Sequence, residues 1–420
     1  MTGTEPQTRL LWRVTEAAGC LVIAGLLGTA TGGCVALFLW LLQMVTMVFW
    51  QFPHLLYLLP VAGLISGLLY QWAGHGVERG NRLIFEQIRN PDGLVPLRMA
   101  PLVLAGTLLT HLCGGSAGRE GTAVQMGGSL AGGLGRWLRF SGARRQTLLQ
   151  SGLAGGFGAV FGTPLAGIVY AFEAPQTDRW RLQALGPCVV AAMLGHLTAT
   201  ACGTTHATCS IADITNTSAS AWLQMHGLLL LAGVAFVLTG RLYVKASENV
   251  GRVLNHWIQR SWLRPVCGGL LLVLLVSITG QTEALGLGAD CNPWQPQATS
   301  LATVFTPGGS GWSSWWWKLI FTALTVGSGL RGGEVTPLFY IGATLGHSLS
   351  RLLRLPVDLL SGLGFVTVFG AALRVPVTSL VLGLELFGWR DVELWTGLIV
   401  MQVAQRVAAG WRRKQQRRGF

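Results

Sequence analysis

Gly114-Gly115-Ser116-Ala117-Gly118-Arg119-Glu120-Gly121-Thr122 is the stretch whose reading decides the fold. It lies between two long apolar runs and yet carries an Arg and a Glu. A charged residue at membrane depth costs at least about 2.5–3.5 kcal/mol by insertion scales, so it is kept for a task. The glycines permit close backbone approach and left-handed turns, and the apolar residues 123–138 can start a helix directly after them. Residues 118–122 are therefore expected at a helix N-terminus inside the membrane. Free N–H groups and the positive end of the helix dipole attract an anion there. Glu120 brings a tethered anion of its own to that place, and it reads as a gate.

A second copy turns the stretch into an architecture. Gly327-Ser328-Gly329-Leu330-Arg331-Gly332-Gly333-Glu334-Val335-Thr336-Pro337 also leads from an apolar run into a helix start. The shared skeleton is Gly-x-Glu-x-Thr, at 118–122 and at 332–336, an offset of 214 residues. Gly158-Ala159-Val160-Phe161-Gly162-Thr163-Pro164, running on to Glu173, likewise resembles Gly370-Ala371-Ala372-Leu373-Arg374-Val375-Pro376, running on to Glu385, at an offset of 212. Two matches at about half of 420 residues predict an internally duplicated membrane protein. Such proteins place their site where Gly- or Pro-interrupted helices of the two halves meet.

Composition agrees. The chain is 51% hydrophobic and only 11% charged, with 58 Gly, far from the roughly 25% charge of soluble domains. It is an all-α polytopic membrane protein on this reading. Alternation is absent and the apolar runs are too long for a β-barrel. The net charge of +13 is no nucleic-acid signal. Its densest cluster, residues 411–418, is a tail after a membrane helix, which the positive-inside rule makes cytoplasmic. The N-terminal residues 1–14, with two Arg, are cytoplasmic by the same rule. The first long segment is basic at its start, whereas the one from Ala221 ends among Arg241, Lys245, Arg252, Arg260 and Arg264. Opposite polarity in matching helices is what inverted repeats show, so the repeats are expected at 15–210 and 221–410, before the basic tail 411–420. Trp312, Trp315, Trp316 and Trp317 beside Lys318 read as an interfacial belt. The eight Cys form no C-x-x-C, and Cys202 and Cys209 could pair if their loop is periplasmic. Single His residues without metal-ligand spacing, and no nucleophile–base set, speak against a metal site, a cofactor or an enzyme.

Gly118-Arg119-Glu120-Gly121, followed by Val124-Gln125-Met126-Gly127, resembles the gating motif of CLC anion channels and transporters. Gly332-Gly333-Glu334-Val335-Thr336-Pro337 resembles the partner motif, and residues 161–168 and 374–379 resemble two further ones. The likeness covers about 20–410 and implies a CLC-like fold of two inverted helical repeats with re-entrant or broken helices. Thr122 in place of the usual Pro, Glu334 with Thr336 in place of a hydrophobic pair, and Gly80-Asn81-Arg82-Leu83-Ile84 resemble the bacterial fluoride/proton-exchanging branch. This implies a homodimer in the bacterial inner membrane, moving fluoride against protons. A chloride/proton exchanger or passive anion channel is the alternative, and a non-transport sensor or enzyme a distant third.

The site residues carry competing readings. Glu120 is the proton-transferring gate, or a buried acid paired with Arg119. Arg119 is structural or contributes positive potential to the anion-binding backbone of Gly118, Gly121, Gly333 and Val335. Thr122 caps its helix or touches the ion. Glu334, which the repeat symmetry faces toward Glu120, is a second coupling acid or is tied to Arg331. Thr336 donates to fluoride, relays a proton, or caps. Asn81 or its neighbour Arg82 faces the anion, with Glu86 as the ion-pair partner of Arg82. Glu173 and Glu385 are structural acids at helix ends. The resemblance also implies a second inner acid where this chain has Ala174, and a pore Tyr where none follows Tyr340.

Overall fold

Long apolar runs leave backbone amides that lipid cannot satisfy, and helices satisfy them internally. The computed structural model describes residues 5–91, 93–177, 180–205 and 219–388. They form α1 (Glu5–Gln51), α2 (Leu59–Ala73), α3 (Asn81–Arg89), α4 (Met99–Leu112), α5 (Glu120–Trp137), α6 (Gly142–Phe161) and α7 (Pro164–Glu173). There follow α8 (Leu185–Ala201), α9 (Ala219–Trp257), α10 (Arg264–Thr279), α11 (Ser314–Gly327), α12 (Val335–Leu353), α13 (Val357–Leu373) and α14 (Pro376–Phe387). Among the described residues, five helical spans are long and apolar enough to cross a membrane: Ala18–Gln51, Pro53–Ala73, Leu182–Ala201, Gln224–Trp257 and Ser261–Thr279. The 47 residues of α1 are more than twice the ~20 that a perpendicular span needs. The loop cysteine Cys209 and the basic tail lie outside the described residues.

The element order occurs twice. A very long helix, a short 3-10 turn and an apolar helix open each series, as α1–α2 and as α9–α10. Later, α5–α6–α7 and α12–α13–α14 have the same breaks. Gly162 ends α6 in the left-handed conformation (φ 74°) and Arg374 ends α13 in the same one (φ 61°). Pro164 and Pro376 then restart the chain within the first helical turn, where a missing N–H is harmless.

Two compact units result. The first comprises Met1–Leu39, Gly76–Pro101 and Ala123–Thr205, and the second Trp40–His75, Leu102–Thr122 and His206–Phe420. In the first, α6 packs against α7 and α8. Gly127 of α5 faces Gly152 of α6 so closely that a Cβ on either would fall on the other's carbonyl. The second unit repeats this contact with α12 and α13. A Cβ on Gly342 would fall on the Gly364 carbonyl, and one on Gly364 on the Gly342 carbonyl. Helices in lipid gain nothing from hydrophobic exclusion, so they associate by close backbone packing over small residues. Two expectations need correction here. Lys318 is fully buried, not interfacial: its Nζ donates to the carbonyls of Ala284 (3.2 Å) and Gly286 (2.7 Å). The loop after α10 folds back over α11 and offers carbonyls that a cation can satisfy. Glu86 pairs with Arg79 at 2.8 Å instead of Arg82. Arg79 lies before the helix starts and is free to reach across its first turns.

Gly342→Val should lower the melting temperature of the purified protein, since overpacking typically costs about 1–3 kcal/mol. Thermal unfolding in detergent checks this, and an unchanged melting temperature would rule out the tight α12–α13 contact.

Candidate anion site

The site lies wholly in the second unit. It begins with α4, whose His111 sits buried between two backbone carbonyls. Its Nδ1 is 2.8 Å from the Thr107 oxygen and its Nε2 is 3.1 Å from that of Ala117. The loop after α4 turns at Gly114 (φ 72°), where the Phe49 ring occupies the place a Cβ would take. Ser116 ties the loop to α11: its N–H donates to Thr325 Oγ1 at 3.2 Å and its hydroxyl meets Thr322 Oγ1 at 2.9 Å. The loop is thus fixed at both ends before the charged residues begin.

Gly118 then pairs with Gly333 in an isolated antiparallel bridge. Each N–H donates to the other's carbonyl at 2.7 Å. This bridge brings the starts of α5 and α12 together. The Glu120 side chain is completely buried and is accepted by the other helix, not its own. The Thr336 N–H, in the first turn of α12, donates to Glu120 Oε2 at 3.0 Å, and the Thr336 hydroxyl donates to Oε1. The Arg119 N–H adds a bond at 3.1 Å, and Arg119 Nε lies 3.6 Å from Oε1. The carboxylate therefore occupies a ready-made anion position: free amide, hydroxyl, dipole and guanidinium converge on it. Gly118 makes the seat possible. A Cβ there would lie 2.8 Å from Glu120 Oε2 and 3.1 Å from the Thr336 nitrogen. Gly333 does the same on the opposite side, 2.8 Å from the Gly121 nitrogen.

The two Gly-x-Glu-x-Thr copies do not behave alike. Glu334 does not take Glu120 as its partner: its Oε2 accepts from Tyr243 Oη on α9 at 3.2 Å. Arg331, the other proposed partner, lays its guanidinium over the Tyr70 ring at 3.6 Å. The repeat relates Gly118 to Gly332 while the antiparallel bridge pairs Gly118 with Gly333, a register that two-fold symmetry allows, so the difference lies in the donors around each acid. Glu120 is the first residue of α5, whereas Glu334 precedes α12 as its N-cap. The threonines diverge too. Thr336 serves Glu120, while the Thr122 hydroxyl is 2.7 Å from Thr107 Oγ1 and caps nothing.

In the first unit, Asn81 opens α3 after Gly80, which has φ 56°. Arg82 is exposed, whereas the Asn81 Oδ1 is buried without a hydrogen-bond partner. Of the two candidates, Asn81 is the one turned inward. Glu173 ends α7 and Glu385 stands in the last turn of α14, as expected of acids at helix ends. Tyr243, Thr107 and His111 escaped sequence reading, because nothing in their local sequence marks them.

These features define a multi-pass, all-α membrane protein with a buried carboxylate held between two helix starts, and the chain belongs to the voltage gated chloride channel (CLC) family, whose pattern matches residues 62–409. It is 41% identical over 368 residues to a chloride/fluoride channel protein of Pseudomonas syringae pv. tomato, covering 88% of this chain and 80% of that one. The crystal structure of a CLC-type fluoride/proton antiporter superposes with a TM-score of 0.85 at 32% identity, covering 93% of this chain and 95% of that one. A slow cyanobacterial Cl-/H+ antiporter shares the fold, with a TM-score of 0.76 at 18% identity and coverage of 93% and 94%.

Gly118→Ala should reduce anion flux about tenfold or more, because its methyl overlaps the seat and an overlap of about 1.4 kcal/mol already costs that factor. Radioisotope or electrode efflux from vesicles reads it, and wild-type flux would remove the seat from the ion path.

Proposed function

We propose that this protein is a proton-coupled fluoride exporter, an F-/H+ antiporter in which Glu120 is both gate and proton carrier. The observation that carries the reading is the Glu120 carboxylate on the Thr336 amide and hydroxyl at the start of α12. Ionised, the carboxylate holds the seat against the anion. Protonated, it has lost the charge that holds it there, and the seat passes to a free ion. One side chain thereby links a proton to an anion.

Fluoride is small and strongly hydrated, so its site must replace water with dense donors. The Thr336 hydroxyl and amide, and the backbone around Gly118, Arg119, Gly121, Gly333 and Val335, supply them. Thr122 can join: when Thr107 donates the proton in their shared bond, the Thr122 proton is spare. Asn81 stays a proposed fluoride donor on the sequence resemblance; within its own unit its side-chain oxygen is buried without a hydrogen-bond partner. Glu334 is the second coupling acid. The names of the Pseudomonas relative and of the 32%-identical antiporter support fluoride as substrate. The former also names chloride and a channel, so chloride exchange and passive conduction are the competing outcomes. The protein works as a homodimer in the bacterial inner membrane. Its repeats, 15–210 and 221–410, are inverted and both termini are cytoplasmic, as the opposite charge polarity of α1 and α9 supports.

Purified protein in liposomes should release fluoride much faster than chloride. Equal rates would move it to the chloride branch of the family.

Glu120→Gln should abolish proton uptake driven by a fluoride gradient, because Gln neither releases a proton nor competes as an anion. Glu334→Gln should lower that uptake as well. Full coupling in the Glu120 variant would refute the gate, and full coupling in the Glu334 variant alone would reduce Glu334 to a structural carboxylate.

A further inference from the structure

We infer that a cavity in the first unit binds one anionic phospholipid. Its volume is about 810 Å³, and it lies between α1 and the first turns of α6 and α8. Sites that hold an organic ligand measure about 300–1,000 Å³, whereas a water-sized ion takes only about 30 Å³. The space suits a molecule, not a bare halide. It is separate from the Glu120 seat, and the inference needs only the membrane class of the protein.

Depth narrows the choice of molecule. Leu21 and Ile23 on the cavity wall come within two turns of the start of the span Ala18–Gln51. Gly186 and Pro187 come within two turns of the start of Leu182–Ala201. Two spans enter the membrane at this level, so the cavity stands where headgroups give way to acyl chains. It also adjoins lipid-accessible surface. Leu21 itself is exposed, as are Leu182, Leu185 and Val189 on and before α8. An acyl chain that leaves the cavity finds an apolar face to follow.

The lining is of two kinds, as an amphiphile requires. Leu21, Ile23 and Leu148 are apolar, while Arg144, Thr147 and Gln183 bring a guanidinium, a hydroxyl and an amide. Those groups are donors, and a phosphate offers only acceptors to meet them. Charge sets the sign of the ligand. Residues 136–145 contain four Arg and no Asp or Glu. Arg145 serves the scaffold: it donates to the carbonyls of Phe140 at 3.2 Å and Gly93 at 3.1 Å, and so fixes the turn that carries Phe140 into the wall. Arg144 is exposed and lines the cavity instead. A zwitterionic headgroup would carry its own cation into this basic field, and an anionic one would not.

Native mass spectrometry of the full-length protein, released from micelles doped with phosphatidylglycerol or phosphatidylcholine, reads the bound lipid. Wild type should retain one phosphatidylglycerol per chain, and much less phosphatidylcholine at equal doping. Arg144→Gln should lower the retained phosphatidylglycerol about fivefold or more, the weight of one Arg at a lipid surface. Ala143→Trp, which adds a ring to the lining without removing a charge, should lower it as well. Phosphatidylglycerol should raise the melting temperature of the wild type and not that of either variant, because a ligand stabilises only the state that binds it. Both positions are exposed, and if one variant does not fold the other decides. Equal retention of the two lipids, or wild-type retention in a folded variant, overturns the site. Glycerol phosphate at the same concentration should leave the lipid in place; displacement by it would make this a free-phosphate site and overturn the lipid assignment. A dimer that retains no lipid would mean that a second copy of the chain covers the cavity, and would overturn it too.

Discussion

One electrostatic constraint organises the site in the second unit: the Glu120 carboxylate is completely buried and needs donors around it. The α12 N-terminus meets it with donors that need no counter-charge of their own. The Thr336 amide has no intrahelical partner to lose, because the first-turn amides of any helix are free. Its hydroxyl adds a second donor at no cost in charge. The Arg119 Nε stands 3.6 Å away on a mostly buried side chain, close enough to favour the anion and too distant for a hydrogen bond of its own. A tight Arg–Glu pair would bind the carboxylate to its own helix start; at this distance it rests on the other helix instead.

Around that seat, the scaffold is built to keep two backbones close and still. Gly118 and Gly333 exchange two short amide bonds, and each leaves the space of a missing Cβ to the other strand's helix start. The glycine pairs 127–152 and 342–364 do the same for the helices that follow. His111, Ser116 and Thr325 tie the first loop to its neighbours through backbone groups, and Ser116 and Thr322 add a bond between hydroxyls. Lipid cannot satisfy those groups, so each bond made inside the protein is worth keeping.

Duplication supplied the parts, and the donors around each copy gave the two acids different surroundings. Glu120 is the first residue of α5 and Glu334 the N-cap of α12. Glu120 crosses to the other helix. Glu334 turns to Tyr243, and two acids of the same origin end with separate donors.

The amino-acid sequence by itself determined the helical membrane class, the duplication and the two acids at broken helix starts. Those follow from run length, from composition and from Gly-x-Glu-x-Thr recurring at 214 residues. The single polar atoms within apolar runs, Glu120 and Glu334 above all, stand out because lipid makes them expensive. Partners were beyond its reach. Glu120 and Thr336 are 216 positions apart, and Glu334 and Tyr243 are 91 apart. The tertiary structure alone drew Lys318 inward and gave Glu86 to Arg79. Run length and spacing are properties of the chain. Which donor meets which acceptor depends on which helix starts, distant in the chain, the fold brings together, and spacing along the chain does not record that.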